Sequence, residues 1–271
     1  MELSPKQRKC YSLNKIKMTR LILPLLLIAF ICGACSNQTS NNKIEDIPER
    51  ERPDTDYVAY KASSMTIDGV ADEKAWDEAE WNEIDQRWLG EPYSEDDFSG
   101  RFKLSWDENY LYLMAEITDD KLVNIYEGTN QYWNDDILEI FIDEDLSGGD
   151  HQFSYNAFAY HVDIDYDVFD IGTDRNAHYF NDHVEVKYGA SGTTYTWEAA
   201  IKVFDDSFER DQENTPEILA DGKQMGFALA YCDNDNSEIR ENFIGSEVIE
   251  GEDKNRGYID AGIFGSLELV D

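Results

Sequence analysis

Cysteine is nearly absent from the part of this chain that can fold. Of four cysteines, Cys10 and Cys32 fall before or within an apolar N-terminal run, Cys35 closes it, and Cys232 alone remains downstream. A single thiol makes no intrachain disulfide, so the fold must rest on its hydrophobic core. Positive charge is scarce too, with 23 Lys and Arg against 58 Asp and Glu. Such a surface repels nucleic acid phosphates and anionic lipid, which excludes nucleic acid as a partner unless a local basic patch exists, and none is visible. Long apolar runs are missing apart from "LILPLLLIAFIC", which is too short to span a bilayer. No nucleophile elbow, zinc-ligand motif or phosphate loop is present either.

That one apolar run has the length of a secretory h-region, and Lys6, Arg8, Lys9, Lys15, Lys17 and Arg20 precede it. It ends in "CGACSNQ", where Gly33 and Ala34 are the small residues that a signal peptidase requires. The stretch resembles a bacterial lipobox, with Cys32 where Leu is more usual. Residues 1–35 are therefore expected to be a lipoprotein signal with lipidation at Cys35, the alternative being a plain secretory signal. Met18 is a plausible start, since "MTRLILPLLLIAFICGAC" is a complete signal. Removing 1–35 takes away six basic residues and one acidic one, leaving a net charge of −40. The expected location is the bacterial outer membrane or cell envelope, with the membrane reached only through the lipid anchor.

Residues 36–56, "SNQTSNNKIEDIPERERPDTD", are polar with almost no apolar periodicity and read as a flexible linker. Residues 57–271 read as one domain, long enough for a single core. Its opening "MTIDGVADEKAW" predicts a short strand, a turn at Asp68-Gly69 and one brief helix carrying Trp76 and Ala79. "RFKLSWDENYLYLMAEITDD" alternates on both sides of a turn, which signals a hairpin. Further strands are expected at "DDILEIFID", "HQFSYNAFAYHVDI", "HVEVKY", "TYTWEAAIKV" and "QMGFALAYCDND". Many short strands with frequent turns and little helix predict an all-β, antiparallel β-sandwich of jelly-roll type with one or two short helices.

The stretch "NQYWNDDILEIFIDED" carries the most chemistry. Alternation puts Ile137, Glu139, Phe141 and Asp143 on one strand face and Leu138, Ile140 and Ile142 on the other. The second set is core, so Glu139 lies on the opposite face, where a carboxylate can accept sugar hydroxyls. A sugar presents an apolar C–H face and a hydroxyl rim, so its sites combine flat aromatic surfaces with planar polar groups. Trp133 is either such a surface or a core or edge tryptophan.

The blocks "IDGVADEKAWDEA", "WDENYLYLMAEITDDKL", "YWNDDILEIFIDED", "RENFIGS" and "GYIDAGIFGSLEL", in that order, resemble a family 9 carbohydrate-binding module over about residues 57–271. The resemblance implies a non-catalytic β-sandwich that holds an oligosaccharide or polysaccharide, of xylan or cellulose type, for neighbouring hydrolases or transporters. It puts the first stacking aromatic on Trp133, the second on Tyr258 where the family has Trp, and the ligand carboxylate on Glu139. Asn156 and Asn255 match its polar positions. Where well-known members carry Arg, this chain has Ser154, which leaves reducing-end binding open unless Arg240 or Arg256 enters from elsewhere.

The acidic end of the stretch, "DEDLSGGDHQ", sets Asp143, Asp145 and Asp150 around a Gly-rich bend, an oxygen-rich arrangement that suits calcium. The family resemblance implies structural calcium; the alternative is a solvated acidic turn. His151 and His161 share a face only if their strand runs unbroken, and His178 and His183 read as loop residues. Two other functions stay open. A glycoside hydrolase would use two carboxylates, and a haem-binding redox sandwich would need an axial Met/His or His/His pair, although Met114 and Met225 read as core methionines.

Overall fold

The computed structural model describes residues 52–271, so the signal at 1–35, Cys35 and the linker up to residue 51 lie outside the described residues. The strands are β1 Tyr57–Lys61, β2 Asn82–Ile84, β3 Gln86–Leu89, β4 Phe98–Trp106 and β5 Leu111–Asp119, with helix α1 Lys74–Glu78 between the first two. After a 3-10 turn at Tyr132–Asn134 come β6 Ile137–Asp143, β7 Phe158–Val162, β8 Val168–Ile171 and β9 Ala177–Tyr179. The chain continues through β10 Val184–Ser191, β11 Thr194–Ile201, β12 Gln224–Asp233 and β13 Asn242–Gly245. A second 3-10 turn, Ala261–Ile263, leads into β14 Gly265–Val270. Among the described residues no helix is long and apolar enough to cross a membrane.

One hydrogen-bonded ladder runs β10-β11-β5-β4-β1-β14-β12-β6-β7-β8-β9. It folds over on itself, because a single buried cluster draws inward residues from both wings. Phe102, Leu104 and Trp106 of β4 and Leu113 and Ile117 of β5 pack with Leu138, Ile140 and Ile142 of β6 and Phe227, Leu229 and Tyr231 of β12. Phe98 stacks on Tyr231 across the layers at 5.4 Å, and Phe102 meets Phe227 at 5.6 Å. The sandwich follows from the period-two alternation of these strands, which gives each wing one apolar face to bury.

Each wing also has an outer face, and both are covered. On the β5–β11 side, Trp76 of α1 and Ala79 just after it pack on Tyr112, Met114 and Ala200. On the β6–β7–β12 side, Ile137, Phe141, Ala159, Ala228 and Cys232 lie beneath Trp88, Phe243 and the segment around Tyr258–Phe264. Met225 belongs to the central core and Met114 to the α1 side, so the two methionines sit in separate packed clusters.

Four expectations are corrected. The sheet is mixed, since β1 runs parallel to both β14 and β4; no hairpin joins β1 to either neighbour, so nothing imposes the antiparallel direction. "MTID" forms no strand, because its backbone is drawn to side chains. Thr66 N–H donates to Glu73, and the amides of Asp68 and Gly69 donate to the buried Glu198. Gly69 sits at φ +81°, and a Cβ there would lie 2.4 Å from the Tyr188 carbonyl carbon, so only glycine allows this approach. The strand expected over "HQFSYNAFAYHVDI" starts only at Phe158, since Tyr155 turns inward to stack on Phe158. Finally, Thr55 and Asp56, read as linker, are tied to Ser266 by side-chain hydrogen bonds.

Candidate functional site

On the outer face of β6, Glu139 is almost fully buried, yet it lines a cavity of about 270 Å³ together with Tyr132, Trp133, His161, Ile171, Arg240, Asn255 and Tyr258. Small-molecule sites run from about 300 to 1,000 Å³, so this is a small site. Three donors converge on Glu139 Oε1: His161 Nε2 at 3.0 Å, the Cys232 thiol at 3.2 Å and Arg240 Nη1 at 3.4 Å. Oε2 receives none of them. Burial pushes the Glu139 carboxyl up, but the charge and hydrogen bond of His161 and the charge of Arg240 outweigh it and hold the group below the usual carboxylate range. Arg240 also donates to Asn255 Oδ1 at 3.3 Å and lies 4.1 Å over the Phe243 ring.

The acids just before β6 have a different task from Glu139. Asp135 accepts from the Ile125 and Tyr126 amides, while Asp136 accepts from Val123 and Asn234. These bonds fasten the 3-10 turn between two loops, and the turn presents Trp133 outward with 39% of its surface exposed. Beneath it, Tyr132 is buried, stacked on Phe169 at 4.9 Å and edge-on to His161 at 4.8 Å. The Tyr132 hydroxyl is buried without a hydrogen-bond partner.

Tyr258 and Asn255 arrive on the segment that precedes β14. The His151 amide donates to Ile259 O and its ring Nε2 to Gly257 O, both at 2.8 Å, and the Ala261 amide donates to Gly149 O. Gly257 packs so close to Phe141 that a Cβ would lie 2.8 Å from the ring. Trp133 and Tyr258 thus reach the same cavity from elements that are 125 positions apart.

The sequence profile described as "Carbohydrate family 9 binding domain-like" matches residues 67–271, most of the chain. The chain belongs to that family. Its fold is also that of solved family 9 modules. A carbohydrate binding module family 9 from Caldicellulosiruptor kristjanssonii in complex with cellotriose is 21% identical, with a TM-score of 0.58 over 79% of this chain and 93% of that one. The structure described as its complex with glucose gives 21% identity and a TM-score of 0.57 over 78% and 95%. No curated protein matches the chain.

Within this family 9 domain, four expected site residues meet at the cavity: Trp133, Glu139, Asn255 and Tyr258. Asn156 does not. It lies on a turn, where its amide donates to Gly148 O at 3.5 Å and its oxygen accepts from the Ser154 hydroxyl. Arg240 enters the cavity as the charged fork, whereas Arg256 is paired with Asp260 at 2.5 Å. His161, Tyr132 and Ile171 were not anticipated as lining residues. His151 and His161 have separate partners, Gly257 and Glu139, and form no pair.

The expected calcium loop is gathered only in part. Asp143 is fully buried, its Oδ2 accepts from the Gly148 amide at 2.6 Å, and its Oδ1 has no partner. Burial, and then the neighbouring Asp145, push its carboxyl up. Asp150 instead bridges to Asp260 through the backbone. Among the described residues, the acids that converge within 4.8 Å in threes are Asp97, Asp120 and Asp235, and the buried Asp119, Asp136 and Asp233. An orphaned buried carboxylate oxygen beside a second acid fits a hard cation at Asp143 and Asp145, but Asp150 does not complete the set.

Proposed function

We propose that this domain is a non-catalytic sugar-binding module that grips a saccharide ring between Trp133 and Tyr258. The observation that carries this reading is the meeting of two aromatic side chains, one carboxylate, one guanidinium and one amide at a single small cavity on a family 9 fold. The aromatic faces would cover the C–H face of the ring, while Glu139 Oε2, Arg240 and Asn255 would receive its hydroxyl rim. The complexes described for the Caldicellulosiruptor family 9 module, with cellotriose and with glucose, support a cellulose-type ligand; a xylan-type ligand rests on the family resemblance alone. A two-carboxylate hydrolase finds less support, since the cavity wall carries Glu139 as its one carboxylate.

The chain would work at the cell envelope, exported by residues 1–35 and tethered through lipid on Cys35, holding glycan for neighbouring hydrolases or transporters. The deciding experiment is affinity electrophoresis and calorimetry of the chain from residue 36 onward against a panel of polysaccharides and oligosaccharides. Binding by the parent that vanishes in Trp133→Ala and in Tyr258→Ala, with melting unchanged, is the expected result. Retention by both folded variants would refute the clamp. A structural calcium held by Asp143 and Asp145 is proposed alongside it. Calcium should raise the melting temperature of the parent but not of Asp143→Ala, and an absence of any calcium effect on the parent would remove the ion from the account.

A further inference from the structure

We infer that His161 is the positioning residue of the sugar site, a doubly protonated imidazolium that fixes the Glu139 carboxylate beside Arg240, so that sugar affinity is lost when His161 gives up its proton. This inference rests on the sugar-binding reading and adds to it a residue and a pH dependence.

The protonation state follows from the partners. His161 on β7 stands directly opposite Glu139 on β6 in the ladder. Its Nδ1 lies 2.9 Å from the Ala159 carbonyl oxygen, which only accepts, so Nδ1 carries hydrogen. Its Nε2 lies 3.0 Å from Glu139 Oε1. That oxygen already accepts from the Cys232 thiol and from Arg240 Nη1, so it acts as an ionised acceptor and Nε2 must donate as well. A ring with both nitrogens donating is a cation. The neutral ring would instead turn a lone pair toward the carboxylate.

The surroundings of the ring match that charge. Glu139 faces it from β6, and Asp170 from β8 contributes negative charge. Cys232 of β12 and Arg240, just before β13, reach it through Glu139. Tyr132 sets its ring edge-on at 4.8 Å. Burial would lower the His161 pKa, but the charge and hydrogen bond of Glu139, with the charge of Asp170, reverse this and raise it. Burial pushes Asp170 up to about 7, so Asp170 gains its charge in the range where a free histidine would lose its own.

The sign is then fixed. A histidine raised on folding contributes fully below its ordinary pKa, and its contribution is lost as pH rises through the folded value. Above that point Glu139 loses its firmest donor, and Oε2 and the Arg240 fork are no longer held toward the cavity.

Cellotriose is a suitable probe because it has no group that titrates in this range. Calorimetry on the chain from residue 36 onward should give affinity that is level on the acid side of neutrality and is lost as pH rises into the alkaline range. His161→Gln, which keeps a donor but no charge, should bind weakly with a flat profile. Nitrogen-15 spectra of the unmodified chain need no variant and should show His161 with both ring nitrogens protonated at about pH 7. Cellotriose binding of equal strength at acid and alkaline pH, or a singly protonated His161 at neutral pH, overturns this inference while leaving the sugar site standing. A folded parent that binds neither cellotriose nor any polysaccharide removes the sugar site, and this inference with it.

Discussion

The two outer faces of the sandwich each bury one glutamate, and the two are treated in opposite ways. Glu198, on β11 beneath α1, accepts from the Trp76 indole at 2.9 Å on one oxygen and from the Gly69 and Asp68 amides at 2.8 and 3.2 Å on the other. Its donors are neutral, fixed by the backbone or by a packed ring, and both oxygens are taken. Glu139, on β6, has two cations and a thiol on one oxygen, none of these on the other, and lines a cavity. Both residues are at most 2% exposed, so burial does not separate them. The partners do. A carboxylate saturated by fixed neutral donors pins a segment, whereas one held by charges on a single oxygen keeps acceptor capacity for a ligand.

Removing each carboxylate tests that contrast, and the largest effect is expected at Glu139, beside the cavity. Glu139→Gln leaves His161 and Arg240 without their counter-charge, and breaking a buried pair in this way costs about 3–5 kcal/mol. Both sugar retention and stability should drop in calorimetry and thermal melts. Glu198→Ala strands two buried donors, the Trp76 indole and the Gly69 amide, each worth about 1–3 kcal/mol when unpaired. Its melting temperature should fall by several degrees while retention measured below the melt is unchanged. Lost retention without lost stability in Glu198→Ala would erase the distinction between the faces.

The pH dependence of stability sharpens the comparison from a third region, the acids beside the two loops. Burial raises Asp136 to about 9 and Asp233 to about 7, helped in both by the charge of Asp119. A carboxyl raised on folding stabilises below its unfolded pKa and loses that contribution as pH climbs through the folded value. The melting temperature should therefore fall steadily between about pH 5 and pH 9, and a flat or rising profile would contradict the buried acid cluster. The smallest effect is expected from Gly257→Ala. The added methyl would push the Tyr258 segment off Phe141, weakening sugar binding a few-fold with a stability loss of about 1–3 kcal/mol, the usual cost of overpacking.

Alternation made much of this molecule legible. "DDILEIFID" assigned Leu138, Ile140 and Ile142 to the core and Glu139 to the opposite face, and both assignments hold. The hairpin at "RFKLSWDENYLYL" and the brief helix at Trp76 were also readable. Asn156, which the family resemblance names, stands outside the cavity wall because the first half of its segment folds as turns against the Tyr258 segment. His161 carried a faint signal, since Ala159 and His161 alternate with Phe158, Tyr160 and Val162, but its register against Glu139 depends on the turns between β6 and β7.

By itself the sequence determined the all-β class, the family, the two faces of β6 and the aromatic and acidic residues available to a site, because period-two patterning and residue chemistry are local properties. Only the tertiary structure decided which of the many acids lines the cavity. That choice depends on charges brought from afar: Arg240 reaches Glu139 across 101 positions through the pairing of β12 with β6, and His161 reaches it through the register of β7. A buried carboxylate takes its character from its neighbours in space, and strand pairing selects those neighbours.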